Sequence, residues 1–182
     1  MKLDALKQTY KEECGMTIEM RNVTAKPLSG KGFEKYGDVI STEGQFSVIN
    51  QGTGLKWNDL VGFDMHEGGG IVNLGILRTK SIAPVFSQME RHLFTSQIFI
   101  PLGGKRSLVA VAPANDEGPD PDEVEVFVME GNQGISFFRK TWHHTLFPLD
   151  GETEYILMMR GGNIQRDVEL VPIKNNIQFT VI

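Results

Sequence analysis

Two short stretches carry most of the side chains in this 182-residue chain that can move a proton or hold a metal. The first runs Glu90-Arg91-His92-Leu93-Phe94-Thr95-Ser96-Gln97 and closes on Gly103-Gly104; the second ends in Trp142-His143-His144. Together they hold a carboxylate, an amide and imidazoles, the groups that serve general acid–base work near neutral pH and bind divalent transition ions. Three of the chain's four histidines fall in these stretches. The fourth, His66, stands beside Gly68-Gly69-Gly70 and reads as a loop residue. Taken singly, each stretch reads more readily as structure, a packing corner with one buried histidine or a solvated Glu-x-His face. Converging inside a barrel, the same groups would need hydrogen-bond or metal partners, because burying them unpaired is costly.

The elements that position them look like strands. Side chains alternate along a strand, so Glu90 and His92 share a face, and that face can be a barrel interior. A polar turn resets the parity before Gln97 opens the next strand. Of His143 and His144 only one can point inward, and alternation turns Lys140 away unless a turn intervenes. Short apolar runs recur through the chain, among them Ile71–Leu77, Gln97–Pro101, Ser107–Ala112, Val124–Val128 and Tyr155–Met159. Their length and spacing predict an all-β barrel or sandwich. Leu3, Leu6, Tyr10 and Cys14 recur at helical spacing, so residues 1–15 form an extension with helical potential, ahead of one domain over 16–182. Pro27 to Gly37 offers turn residues and one helical turn.

The remaining signals bound the function. A net charge of −5 disfavours a nucleic-acid partner, and no apolar run reaches the roughly 20 residues of a membrane span. The lone Cys14 makes no internal disulfide, and the N-terminus has no signal-peptide pattern, so a cytoplasmic protein is expected. Gly52 and Gly54 lack the lysine and the strand-to-helix context of a phosphate loop. The acidic segment Asp116–Glu123, with two prolines, reads as a solvated loop rather than a calcium cage.

The first stretch is similar to the cupin first motif, H-x-H-x4-E-x6-G, with Glu90, His92, Gln97 and Gly104 at its four positions. The spacing holds, while Glu90 and Gln97 depart from the usual ligand types. His143 matches the histidine of the second cupin motif, with Phe138 and Lys140 where its proline and glycine usually stand. More narrowly, Glu90-Arg91-His92, Gln97-x-Phe99-Ile100-Pro101, Gly131-Asn132-Gln133-Gly134, Trp142-His143-His144-x-Leu146-Phe147 and Arg160-Gly161-Gly162 resemble the ureidoglycolate lyase family. Phe33-x-x-Tyr36-Gly37-Asp38-Val39-Ile40 and Asn50-x-Gly52 extend the match from about residue 18 to 168. The resemblance implies a cupin-like β-barrel, a double-stranded β-helix or jelly roll with a few short peripheral helices. It also implies a homodimer that frees urea and glyoxylate from ureidoglycolate in purine-nitrogen recovery from allantoin.

That reaction needs a base on a hydroxyl, an acid on a nitrogen and a grip on an anionic small molecule. His92 or Glu90 would be the base and His143 the proton donor or orienter. Arg160 or Lys140 would hold the carboxylate, arginine being the better bidentate clamp, with Gln97 and Asn50 completing the substrate contacts. Glu90, His92, Gln97 and His143 equally suit a divalent metal, nickel by the resemblance, although a neutral amide at Gln97 is a poor ligand. A metal site and a metal-free acid–base pocket both stay open at this stage. So do two rivals, a metal-dependent cupin of another class such as an oxygenase or sugar-acid isomerase, and a non-catalytic barrel that binds a small acid.

Overall fold

The computed structural model describes residues 8–11, 17–64, 70–161 and 166–182. Almost all of the regular structure is β-strand, in three stacked layers. The middle layer is a seven-stranded sheet whose main path runs Val168–Pro172, Gln88–His92, Trp142–His143, Ser107–Ala112, Glu125–Met129 and Ala25–Pro27, with Phe147–Pro148 also paired to Ser107–Ala112. A five-stranded sheet ordered Gly37–Ile40, Gly134–Phe137, Gln97–Leu102, Thr153–Arg160 and Val72–Thr79 closes over one face of it. Gln8–Lys11, Thr17–Val23, Ile177–Val181 and Val85–Phe86 form a third sheet over the other face. The hairpin Ser47–Ile49 and Gly54–Lys56 stands apart.

The strand Ser107–Ala112 explains this layering. All six of its residues are buried, because both of its faces are covered. Val109 and Val111 point into a core with Phe99, Phe127, Ile135, Phe137 and Tyr155, the interior of the cupin-like barrel. Leu108, Ala110 and Ala112 point the other way, onto Met89, Trp142, Ile177 and Phe179. A single turn of helix, Gly30–Phe33, is capped by Ser29, whose hydroxyl accepts the Gly32 amide at 3.2 Å. It delivers Phe33 into the barrel edge-on to Phe127.

Two departures from the sequence reading have clear causes. Gln8–Lys11 is a strand rather than part of a helix, paired antiparallel with Thr17–Val23. A short isolated helix is marginal in water, whereas the open edge of Thr17–Val23 offers a ladder of unpaired backbone groups. The other residues of that extension lie outside those described, as does His66. The acidic loop is solvated only in part: four of its five acids, Asp116, Glu117, Asp122 and Glu123, are exposed, while Asp120 is half-buried and Pro119 and Pro121 are buried.

The glycine that closes the first motif is also explained. Gly103 and Gly104 both take left-handed backbone, at φ +82° and +71°, and Gly131 passes so near that a Cβ on it would lie 2.0 Å from the Gly104 carbonyl. Neither backbone can give way, so Gly131→Ala should lower the free energy of unfolding by about 3 kcal/mol or more. A urea titration checks this, and an unchanged midpoint would refute it.

Candidate active site

Glu90 and His92 alternate inward on the strand Gln88–His92, and the register sets His143 directly opposite Glu90. His143 is also opposite Val111, which fixes its ring to the barrel interior. There it stacks on Phe137 at 4.3 Å between ring centroids and lies nearly parallel to His92 at 5.7 Å. His144, as alternation requires, turns to the other side, where its ring stacks on Phe147 at 4.7 Å.

The hydrogen bonds of the two buried imidazoles determine which nitrogen faces the site. His143 Nδ1 lies 2.9 Å from the Thr141 carbonyl, which can only accept, so this nitrogen carries the hydrogen. His92 Nδ1 donates in the same way to the Asp167 carboxylate at 3.2 Å. Both Nε2 atoms therefore present lone pairs, and both are buried without a hydrogen-bond partner among the described residues. The Glu90 carboxylate lies 3.5 Å from His143 Nε2. Its side chain is 31% exposed while those of the histidines are 2% and 4%, so Glu90 is the member of the group nearest water. A cavity of about 130 Å³ opens here, with Gln88, Glu90, His143, His144 and Thr145 among the residues that line it.

The electrostatics follow from this packing. A proton taken up at His143 Nε2 is shared with Glu90, and that interaction holds the Glu90 carboxyl below the usual carboxylate range, against the opposing effect of burial; with the ring neutral the two face each other as acceptors. Burial pushes His92 down, helped by neighbouring His143 and resisted by Asp167 and Glu90, which favours its neutral form. Burial likewise pushes His144 down.

Two aligned lone pairs beside a carboxylate, desolvated and unpaired, are a donor set awaiting a cation. One ligand atom from each of Glu90, His92 and His143 lies within 4.8 Å of the others. Donors bound at about 2.0–2.2 Å to one ion sit roughly 3–4 Å apart, so the three residues fit a divalent transition ion with small adjustments. Gln97 opens its strand opposite Phe137, the ring that stacks on His143, and its buried Oε1 also lacks a partner among the described residues. The amide belongs to the same wall.

Other residues singled out from sequence fall elsewhere. Arg160 places its guanidinium 6.0 Å from the Phe94 ring, beside the turn that joins the two strands of the first motif. A turn does intervene at Lys140, which takes φ +68°, but it sends the ammonium toward Asp116, 4.0 Å away, on the Arg91 side of the strand. The Lys140 backbone amide instead donates to the His92 carbonyl at 2.7 Å. Asn50 lies in the exposed turn of the isolated hairpin, with its carbonyl accepting from Thr53. Neither Lys140 nor Asn50 joins the Glu90, His92 and His143 group. Arg91 is structural: its buried guanidinium lies over Trp142 and bonds Glu169, Asp116 and the Asn115 carbonyl, tying the acidic loop to the barrel. The residue that sequence reasoning missed is Asp167, 75 positions from the histidine it holds.

Residues 20–180 match the family profile described as ureidoglycolate lyase. The chain is 37% identical over 148 residues to a ureidoglycolate lyase of Brucella anthropi, spanning 80% of this chain and 86% of that one. It is 35% identical over 147 residues to a ureidoglycolate lyase of Burkholderia mallei, spanning 79% and 85%. Among solved structures, a dTDP-4-dehydrorhamnose 3,5-epimerase from Elizabethkingia anophelis aligns over 89% of this chain and 70% of its own at 9% identity. Its TM-score of 0.39 is too distant to bear on the site.

Proposed function

The chain belongs to the ureidoglycolate lyase family, and we propose that it splits ureidoglycolate into urea and glyoxylate at Glu90, His92 and His143. The observation that carries this reading is the pair of buried Nε2 lone pairs converging beside Glu90, which with His143 lines a small, partly open cavity.

The substrate carries a hydroxyl, a carboxylate and a ureido nitrogen on one carbon. The hydroxyl loses its proton, the oxygen's electrons form the aldehyde carbonyl, and the carbon–nitrogen bond breaks. Its electron pair stays on nitrogen, which takes a proton and leaves as urea. The proton lost at oxygen balances the one gained at nitrogen, so a single carboxyl can carry it between the two. Glu90 suits that task as the member of the group open to the cavity. Held ionised, however, it is a weak base for an alcohol. A divalent ion held by Glu90, His92 and His143, with the Gln97 oxygen as a weaker fourth donor, would supply Lewis-acid acidification of the hydroxyl. The resemblance names nickel. His92 and His143 fix the donor geometry, and Arg160, at the Phe94 turn, is the candidate clamp for the substrate carboxylate.

Incubating the purified protein with ureidoglycolate and assaying glyoxylate above the enzyme-free rate tests the assignment. Glyoxylate should accumulate; its absence would sink the proposal. Among the described residues no helix is long and apolar enough to cross a membrane. We place the protein in the cytoplasm, in the recovery of nitrogen from allantoin.

A homodimer completes the proposal. The outer face of the five-stranded sheet carries Leu74, Ile76, Ile100, Ile156 and Met158 in register across three neighbouring strands, with Leu74 67% and Ile76 56% exposed. An apolar face of this kind suits a second copy of the chain. Sedimentation should give twice the 20.3 kDa of the chain, and the double variant Leu74→Lys, Ile76→Lys should halve it without unfolding the protein. A wild-type monomer would contradict the dimer.

A further inference from the structure

The loop that leads into the strand Val168–Pro172 buries one acidic side chain, Asp167, which is 3% exposed. Each of its acceptors is used. Its Oδ2 takes the His92 Nδ1 hydrogen at 3.2 Å, its Oδ1 takes the Phe94 amide at 2.7 Å, and its backbone carbonyl takes the Leu93 amide at 2.9 Å. The next residue, Val168, pairs in register with His92. Three bonds from one residue therefore fix both the histidine and the turn that follows it. A buried carboxylate needs more than one donor, and the Phe94 amide supplies the second.

We infer that Asp167 is the positioning residue of the site: its carboxylate holds His92 as the Nδ1–H tautomer and so commits Nε2, as a lone pair, to the position shared with Glu90 and His143. The inference rests on the proposed role of that cluster for its consequence, not for its geometry. A neutral imidazole has one hydrogen and places it where an acceptor waits. With a carboxylate at Nδ1, only Nε2 can accept a bond from a substrate or donate a pair to an ion. Such outer carboxylates orient metal-binding histidines and raise their basicity. His143 obtains the same commitment from the Thr141 carbonyl, a backbone group that substitution cannot remove. Asp167 is thus the point at which the pairing of the two lone pairs can be undone without touching either ring.

The sharpest variant is Asp167→Asn, which keeps the shape. Its carbonyl oxygen can still accept the Phe94 amide, and its NH₂ then faces His92 Nδ1. Two hydrogens cannot occupy that contact, so the histidine must move its own to Nε2 and close the site. The same swap produces the wrong tautomer in the Ser-His-Asp proteases.

Long-range ¹H–¹⁵N correlation spectra of the imidazole rings read this directly. In the wild-type protein, free of added metal, His92 should show a protonated Nδ1 and an unprotonated Nε2; in Asp167→Asn the two should exchange. Titration calorimetry with Ni²⁺ should show affinity falling about 10–100-fold in the variant, the range for loss of an outer carboxylate. Wild-type spectra with the hydrogen on His92 Nε2 would overturn the inference with no variant needed, as would an unchanged tautomer in a folded Asp167→Asn. A wild-type protein that shows the expected tautomer yet binds no Ni²⁺ would instead count against the metal reading and leave the positioning role standing.

Discussion

His143→Ala should lower kcat/KM for urea release by about 10²–10⁴-fold, the range for a positioned acid–base or ligating group, while the protein remains folded. The effect is large because His143 does two things at once. Its Nε2 supplies one of the two committed lone pairs, and a proton taken up there is shared with Glu90 and keeps that carboxyl ionised. Without it, burial pushes the Glu90 carboxyl up against only the weaker influence of His92 and His144, so the residue spends more of its time protonated and unable to take the hydroxyl proton. The loss should therefore shrink as pH rises and Glu90 regains its charge, a dependence that simple collapse of the site would not give. Folding should survive because Phe137, Phe99 and Tyr155 still pack the interior around the vacated ring. A stability loss of about 2–4 kcal/mol, typical of emptying a buried site, is expected from chemical denaturation. Turnover within threefold of wild type would place the chemistry elsewhere.

Chelation should abolish most of the activity, and Ni²⁺ should restore it. With both rings neutral, two buried lone pairs face a carboxylate with nothing between them, so the empty site is a source of instability that a proton or a metal cation relieves. An ion at 100 times its Kd stabilises the folded chain by about 2.7 kcal/mol. For a chain of this size that corresponds to a rise in Tm of roughly 5–10 °C. Calorimetry before and after chelation reads this separately from turnover. Chelator-resistant turnover with an unmoved Tm would leave Glu90, His92 and His143 as a metal-free acid–base pocket.

The part of the site that lies on one strand was legible in the sequence because alternation is a local rule. Glu90 and His92 share a face whatever the rest of the chain does, and one of two adjacent histidines must turn inward. Asp167 was not legible for the opposite reason. Its role is created by a pairing of Val168–Pro172 with Gln88–His92 that joins segments far apart in sequence, and nothing in the run Arg166-Asp167-Val168 marks the acid as buried. The placements of Lys140 and Asn50 turn on left-handed backbone, φ +68° and +51°, at non-glycine residues, where alternation has no authority. The N-terminal segment shows the same limit at the level of fold, since an open sheet edge overrides a helical spacing that is weak over so few residues. The layers were legible as short apolar runs, but the third sheet was not, because Ala110 and Ala112 reveal a second buried face only once it is covered.

NMR of ¹³C-labelled substrate shows whether the cluster of Glu90, His92 and His143 breaks the carbon–nitrogen bond of ureidoglycolate. With the wild-type protein, glyoxylate and urea should appear one for one, above the enzyme-free rate, while Glu90→Gln leaves the substrate at that background rate. Release of ammonia in place of urea, or wild-type turnover by Glu90→Gln, would contradict the account.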